Sequence, residues 1–375
     1  MKPVISTQPI LQLASGDILS LQVYRFVGVS PGKKVYLQAN LHGSEISGNA
    51  VLYQLIQQLQ NTQPNQLAGE IWLVPVCNPL AVNQRAHHFA SGRYNPYDGK
   101  DWNRIFWERY TEHFDLKAFA HTQIGLPLET IQHNYQQQLQ QVFQAHAQTA
   151  LTGSVSQRFA YRLQSLCLDA DYLIDLHSSS NQGLDYLYCF RGRQASANYF
   201  LLDQGISFDQ YDGGAFDEAF MKPWLALEDQ LSELSRATVQ LEVEAWTLEL
   251  GAAMQMKPTS VAKGVRGILN YLARKGVLNQ PGFPCAEGNY QGIKLTPLSQ
   301  IQLYHAPAGG VVSARCELGA SVEAGDVLYQ LLSFNKAGEL PTTVEVGAQG
   351  AGLVFDLSIN HTVNEGELVL KLLPN

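Results

Sequence analysis

Charged residues are scarce in this chain. Asp, Glu, Lys and Arg make up 15% of its 375 residues, against roughly 25% in an ordinary soluble domain. Basic residues are the scarcer sign, 25 against 33 acidic, and the formal net charge is -8. A negative chain repels phosphate backbones, which argues against nucleic acid as a partner. Cysteine is sparse as well. Cys77, Cys167, Cys189, Cys285 and Cys316 are scattered and none forms a C-x-x-C pair, which speaks against a disulfide scaffold and against a thiolate zinc site. A reduced, cytoplasmic protein is the expectation. No run of about 18 apolar residues occurs, so no membrane-spanning helix is expected. The start, Met1-Lys2-Pro3, has neither the apolar stretch nor the small-residue cleavage site of a signal peptide.

What is present is a core-forming chain: 45% of residues are hydrophobic and 10% aromatic. At roughly 150 residues per domain, the length suggests two domains. Lys34–Ala39 reads as a short apolar strand, Ile46–Gln60 as a helix and Glu70–Val76 as a second strand. That rhythm is a βαβ unit, which implies a mainly parallel sheet flanked by helices, an α/β fold. Ala170–Leu176, Thr238–Glu244 and Trp246–Leu250 read as further strands, and Val261–Lys275 as an amphipathic helix. The Gln-rich stretch 130–148 has helical spacing and is expected to be an inserted lid or flank. After Asn279-Gln280-Pro281-Gly282-Phe283-Pro284, a linker-like cluster, the period becomes strand-like. The expected division is a catalytic domain over 1–283, with an insertion at about 107–150, and a C-terminal all-β barrel or sandwich module over 284–375.

The tail repeats itself. Gly310-Val311-Val312 leads to Ser321 through Leu328, and Gly352-Leu353-Val354 leads likewise to Thr362 through Val369. Two such hairpin units suggest pseudo-twofold symmetry and a shape like the biotinyl/lipoyl domains. Lys336 is the one candidate for a carrier lysine. It lacks the flanking residues of a modified motif, and its spacing to the second half is too long, so an unmodified structural module is expected.

Four segments carry chemistry. His42-Gly43-Ser44-Glu45 sits where a parallel strand gives way to a helix, the edge at which such sheets bind ligands. Gly43 is expected to permit a sharp turn that lets the imidazole and the carboxylate converge. The bland alternative is a helix start, with Ser44 as cap and Glu45 favoured by the dipole. Asp175-Leu176-His177 puts a second histidine at another strand end. His42, Glu45 and His177 together would form the open three-ligand site of a catalytic zinc ion, with Asp175 either a supporting partner or the cap of a loop. Asp101-Trp102-Asn103-Arg104 offers the amide of Asn103 and the guanidinium fork of Arg104 to a carboxylate, and Arg93 suits a developing oxyanion. Arg85 is expected to be an ordinary surface arginine. Glu249 lies inside an apolar strand, where a carboxylate is costly unless it has a role; beside a zinc-bound water it would be a general base. Glu242 and Glu244, two residues apart, read as a solvated strand edge.

The order His42-x-x-Glu45, Asn103-Arg104, Asp175-Leu176-His177, Glu249-Leu250-Gly251 resembles the zinc carboxypeptidase superfamily, and within it the succinylglutamate desuccinylase/aspartoacylase family. Arg93 through Arg104 is similar to that family's R-x-x-P-x-D-G-x-x-L-N-R element, with Trp102 in place of Leu. The resemblance implies one zinc per chain on His42, Glu45 and His177. It further implies Glu249 as general base and acid, Arg93 on the oxyanion, and Asn103 with Arg104 on the substrate carboxylate. The implied activity is amide hydrolysis of an N-acyl amino acid, a small anionic substrate. Rival functions are a carboxypeptidase trimming peptide C-termini and a non-catalytic carboxylate-binding protein. The sequence leaves open whether the chain forms a homo-oligomer.

Overall fold

The computed structural model describes residues 1–208, 213–285 and 290–375. Nine strands form the larger sheet, in the spatial order Val4–Gln12, Ile18–Val27, Ala68–Val74, Ser30–Ala39, Tyr172–Ser179, Glu244–Ala252, Tyr186–Phe190, Gln204–Phe208, Lys294–Pro297. Five of the eight neighbour pairings are parallel and three antiparallel. The expected mixed, mainly parallel α/β sheet is therefore the observed one. Tyr172–Ser179 is buried along its whole length, as a central strand covered on both faces must be. One face is covered by Ser47–Asn61 and Pro258–Arg274, through Val51, Leu55, Ile268 and Leu269. Leu128–Thr152, Val155–Cys167 and Phe216–Ser235 cover the other, through Tyr135, Leu139, Leu163 and Trp224.

Two readings of the sequence are corrected here. Residues 238–243 form no strand; the strand begins at Glu244 and runs through Ala252. The backbone groups that a ladder would have used are taken by buried side chains. The Arg193 guanidinium donates to the carbonyls of Leu241 and Val243, and Glu228 Oε1 accepts from the Leu241 amide at 2.8 Å. Glu244 is not at a solvated edge. It is buried, accepting from Ser196 Oγ at 2.8 Å and Tyr271 Oη at 2.7 Å and pairing with Lys275. Glu242 stays exposed outside the strand, so the two-residue spacing never placed the pair on one strand face.

The Gln-rich stretch is the helix Leu128–Thr152. Its apolar side is spent on the neighbouring helices, and Tyr135 Oη donates to the Pro223 carbonyl at 2.9 Å. It is a flank.

Beyond residue 300, strands form two sheets of four, one of them extended to five by Gln182–Gly183, over one core that includes Val312, Leu331, Val354 and Leu372. The repeat is visible in the pairing. Ser321–Val322, from the first copy, pairs with Gly352–Leu357 of the second; Thr362–Val363, from the second, pairs with Gly310–Arg315 of the first. A Cβ on Gly310 would lie 2.3 Å from the Leu332 carbonyl oxygen, and one on Gly352 2.6 Å from that of Leu373. The two glycines answer to the same close approach. Lys336 sits exposed between the strands Val327–Ser333 and Thr342–Gly347. The two parts of the chain are joined by more than the linker. Lys294–Pro297 lies in the larger sheet, beyond the boundary expected at 283, and Gln182–Gly183 pairs with Asp356 and Leu357 of the smaller assembly.

Candidate active site

The strand Ser30–Ala39 ends at Asn40, whose φ of 70° turns the chain sharply. Asn40 then donates from Nδ2 to the carbonyls of His42 at 3.1 Å and Gly43 at 3.2 Å. One buried amide therefore fixes the loop that carries His42 and Glu45. Asn78 supports it from outside, donating to the Leu41 carbonyl at 2.9 Å. Gly43 is needed for a reason other than the expected turn: a Cβ there would lie 2.0 Å from the Ala81 carbonyl oxygen. Ser44 does not cap the helix, since Ile46 occupies that position without a side-chain bond. Glu45 instead turns into the interior.

There the two histidines meet it. His42 Nδ1 lies 2.8 Å from Glu45 Oε1, and His177 Nδ1 lies 2.8 Å from Glu45 Oε2. All three side chains are buried, and their ligand atoms lie within 4.8 Å of one another. The outer nitrogens are held too: His42 Nε2 is 2.9 Å from Asp101 Oδ1, and His177 Nε2 is 3.0 Å from Asp175 Oδ2. Asp175 in turn accepts from Gln38 Nε2 at 3.1 Å across the strand pair. Burial disfavours a charged His42, but Glu45 and Asp101 outweigh it and raise its pKa. His177 is likewise raised, by Asp175 and Glu45 against burial. Burial pushes Glu45 up, and the two histidines more than reverse this and hold it low. Two imidazoles and a carboxylate, each imidazole oriented by a second carboxylate, form a donor set suited to zinc.

All seven residues singled out from the sequence line one cavity of about 400 Å³: His42, Glu45, Arg93, Asn103, Arg104, His177 and Glu249. Glu249 lies opposite His177 in the parallel register of the two central strands. Its Oε2 is buried and has no hydrogen-bond partner among the described residues. Burial, followed by repulsion from Glu45, raises its pKa to about 7. Gly251, two residues on, has φ 73°, a conformation that other residues resist. Arg93 donates from Nε to Asp101 Oδ2 at 2.9 Å and from Nη1 to Ser180 Oγ at 2.9 Å, with Glu45 Oε1 3.8 Å away. Asn103 Oδ1 accepts from the Phe216 amide at 2.9 Å, and the side chain lines the cavity. Trp102, where the family pattern has Leu, is fully buried edge-on against Phe159 at 5.0 Å and anchors this segment to the helix Val155–Cys167. Arg85 is exposed and, among the described residues, bonds only backbone carbonyls, those of Val82 and Gln84.

Several groups escaped the sequence reading. Asp101 bridges His42 and Arg93, although in sequence it was only the residue before Trp102. Asp217 and Glu218, at the first turn of Phe216–Ser235, also line the cavity; from sequence alone such residues read as ordinary helix-start acids. Lys371 and Leu298 reach the cavity from the C-terminal part of the chain. Lys371 lies 3.7 Å from the fully buried Asp356, which accepts from Ser179 and Asn181. Among the described residues, none that lines the cavity comes from 107–150. The cavity wall carries both signs of charge, with Asp217 and Glu218 standing against Arg93, Arg104 and Lys371.

Residues 31–274 match the model of the succinylglutamate desuccinylase/aspartoacylase catalytic domain. No curated protein matches the chain by sequence. Among solved structures, a protein from Shewanella frigidimarina NCIMB 400 placed with the succinylglutamate desuccinylases/aspartoacylases superposes with a TM-score of 0.89. It is 27% identical, and the match covers 100% of this chain and 98% of that one. A protein of the same family from Shewanella amazonensis SB2B gives a TM-score of 0.85 at 29% identity, over 99% and 98% of the two chains. The first of these matches runs through 107–150, so the stretch is shared with that relative. Among the described residues no helix is long and apolar enough to cross a membrane. With the family model spanning most of the chain, the protein belongs to the succinylglutamate desuccinylase/aspartoacylase family.

Proposed function

We propose that the chain is a zinc-dependent hydrolase that cleaves the amide bond of an N-acyl amino acid. The observation that carries this reading is the convergence of His42 and His177 on Glu45 at the floor of a cavity that also holds the unpartnered carboxylate of Glu249. His42, Glu45 and His177 would hold the ion. When bound, zinc would polarise an amide carbonyl and acidify a water molecule.

The remaining work falls to the protein. Asp101 and Asp175 orient the two imidazoles through their Nε2 atoms. Glu249, with Oε2 free of other donors, takes a proton from the attacking water and returns it to the departing nitrogen. Its raised pKa suits both halves of that task. Arg93, fixed by Asp101 and Ser180, faces the oxyanion. Asn103 and Arg104 receive the substrate's free carboxylate, and the order in which the cavity presents them sets the substrate's direction.

The division we propose is a catalytic unit over 1–283 and a C-terminal module over 284–375, with the strand Lys294–Pro297 returning to the catalytic sheet. Five free cysteines suit a cytoplasmic setting. The test is a panel of N-acyl amino acids and unblocked dipeptides given to zinc-loaded protein. Hydrolysis of the acylated compounds supports the reading; cleavage of dipeptides alone makes the chain a carboxypeptidase, and no turnover of either, with zinc bound, makes it a binding protein.

A further inference from the structure

Asp217 and Glu218 are buried in the wall of the cavity, 5% and 8% exposed. Neither forms an ion pair among the described residues. Asp217 accepts from Thr247 Oγ1 at 2.7 Å and from the Glu218 amide at 2.9 Å. Glu218 Oε2 accepts from the Gly213 amide at 2.8 Å, and its Oε1 takes no hydrogen bond within the described protein. A carboxylate has about four acceptor directions, so these two bonding sets leave capacity unused on both side chains. The helix N-terminus offsets only a small part of the penalty for burying the two acids as ions. Burial pushes both carboxyls above their usual range, and Asp217 pushes Glu218 further, against the opposing pull of the Lys222 and Arg104 charges, neither of which forms an ion pair with it.

The neighbouring surface is aromatic. Tyr188 and Phe208 line the same cavity with their rings edge to face, 5.9 Å apart. Carboxylates with spare acceptor capacity beside aromatic faces are the chemistry of an ammonium or guanidinium site. A substrate that is anionic throughout would meet repulsion at this wall.

We propose that Asp217 and Glu218 bind a cationic group on the side chain of the amino acid released, so that the substrate is an N-acylated basic amino acid. Its free carboxylate lies on Asn103 and Arg104, and its side-chain cation lies on the two acids. This rests on the deacylase reading above and sharpens it from any N-acyl amino acid to a dipolar one. Asp217 and Glu218 are then specificity residues that touch the substrate away from the reacting bond.

The test compares kcat/KM of the zinc-loaded full chain for Nα-acetyllysine, Nα-acetylornithine, N-acetylnorleucine and N-acetylglutamate. Norleucine matches lysine in length without the charge. A charged hydrogen bond in a desolvated site corresponds to a preference of about 10- to 100-fold for the better cationic substrate over norleucine. Glu218→Gln and Asp217→Asn should each bring that ratio toward one, mainly through KM. Titration calorimetry of the wild type with lysine and with norleucine gives a second readout that needs no variant, and lysine should bind more tightly. Equal or better turnover of norleucine or glutamate, or a ratio that neither variant changes, overturns this proposal and leaves the deacylase reading standing. If no acylated amino acid is hydrolysed, the deacylase reading falls and this proposal falls with it.

Discussion

Asp101 holds His42 with one carboxylate oxygen and Arg93 with the other, at 2.9 Å in each case. One side chain thus fixes a proposed metal ligand and a proposed oxyanion donor relative to each other. Burial raises the Asp101 carboxyl, but His42 and Arg93 prevail and hold it at about 2, so it remains ionised at any pH near neutrality. Asp101→Asn keeps the shape and removes the charge. Supporting partners of this kind typically contribute 10- to 100-fold in metal affinity, and we expect a loss of that size in chelator competition. Unchanged zinc affinity would show that the bridge orients Arg93 alone.

Gly43 has no room for a side chain against Ala81. Gly43→Ala would displace the loop carrying His42 and Glu45 from the segment Pro79–Asn83. Zinc stoichiometry should fall well below one per chain while far-ultraviolet circular dichroism stays near wild type, because the clash is confined to one loop. A full equivalent of tightly held zinc in this variant would mean that the loop tolerates the shift.

The buried pair Arg193 and Glu228, 2.6 Å apart, replaces strand pairing for residues 238–243. Removing one partner of a buried ion pair typically costs about 3–5 kcal/mol. Glu228→Ala should lower stability by that order in denaturant unfolding and lower Tm. A change within error would show that water replaces the carboxylate at no cost.

Zinc itself should stabilise the fold. A ligand that binds only the folded state raises stability with the logarithm of its concentration over Kd, by about 4 kcal/mol at a thousandfold excess. Zinc should therefore raise Tm of the wild type, and His177→Ala should abolish the increase. An equal rise in that variant would place the metal elsewhere.

Much of this was legible in the sequence because it depends on local pattern. The apolar run at Tyr172–Leu176 announces a buried strand, and a histidine at its end announces a site. His42, Glu45 and His177 meet because parallel strands end on the same edge of the sheet, with Glu249 beside His177 in register, and the segment from Arg93 to Arg104 folds over that edge. What was not legible depends on contacts distant in sequence. Arg193 suppresses the expected strand at 238–243 from 48 and 50 residues away. Lys275 and Tyr271 draw Glu244 inward from a later helix. Gly43 was read as a turn residue, yet its constraint is the backbone of Ala81, which no local signal reveals. Lys371 reaches the pocket from the C-terminal part of the chain, which Gln182–Gly183 and Lys294–Pro297 join to the rest.

The account turns on Glu249 as the proton carrier beside a metal held by His42, Glu45 and His177. Its most direct test is the rate of amide hydrolysis by zinc-loaded Glu249→Gln, measured on an N-acyl amino acid that the wild type cleaves. General acid–base catalysis contributes about 10²–10⁴-fold, so the rate should fall by that factor while a full equivalent of zinc is retained. A zinc-loaded variant turning over at near the wild-type rate would contradict the account.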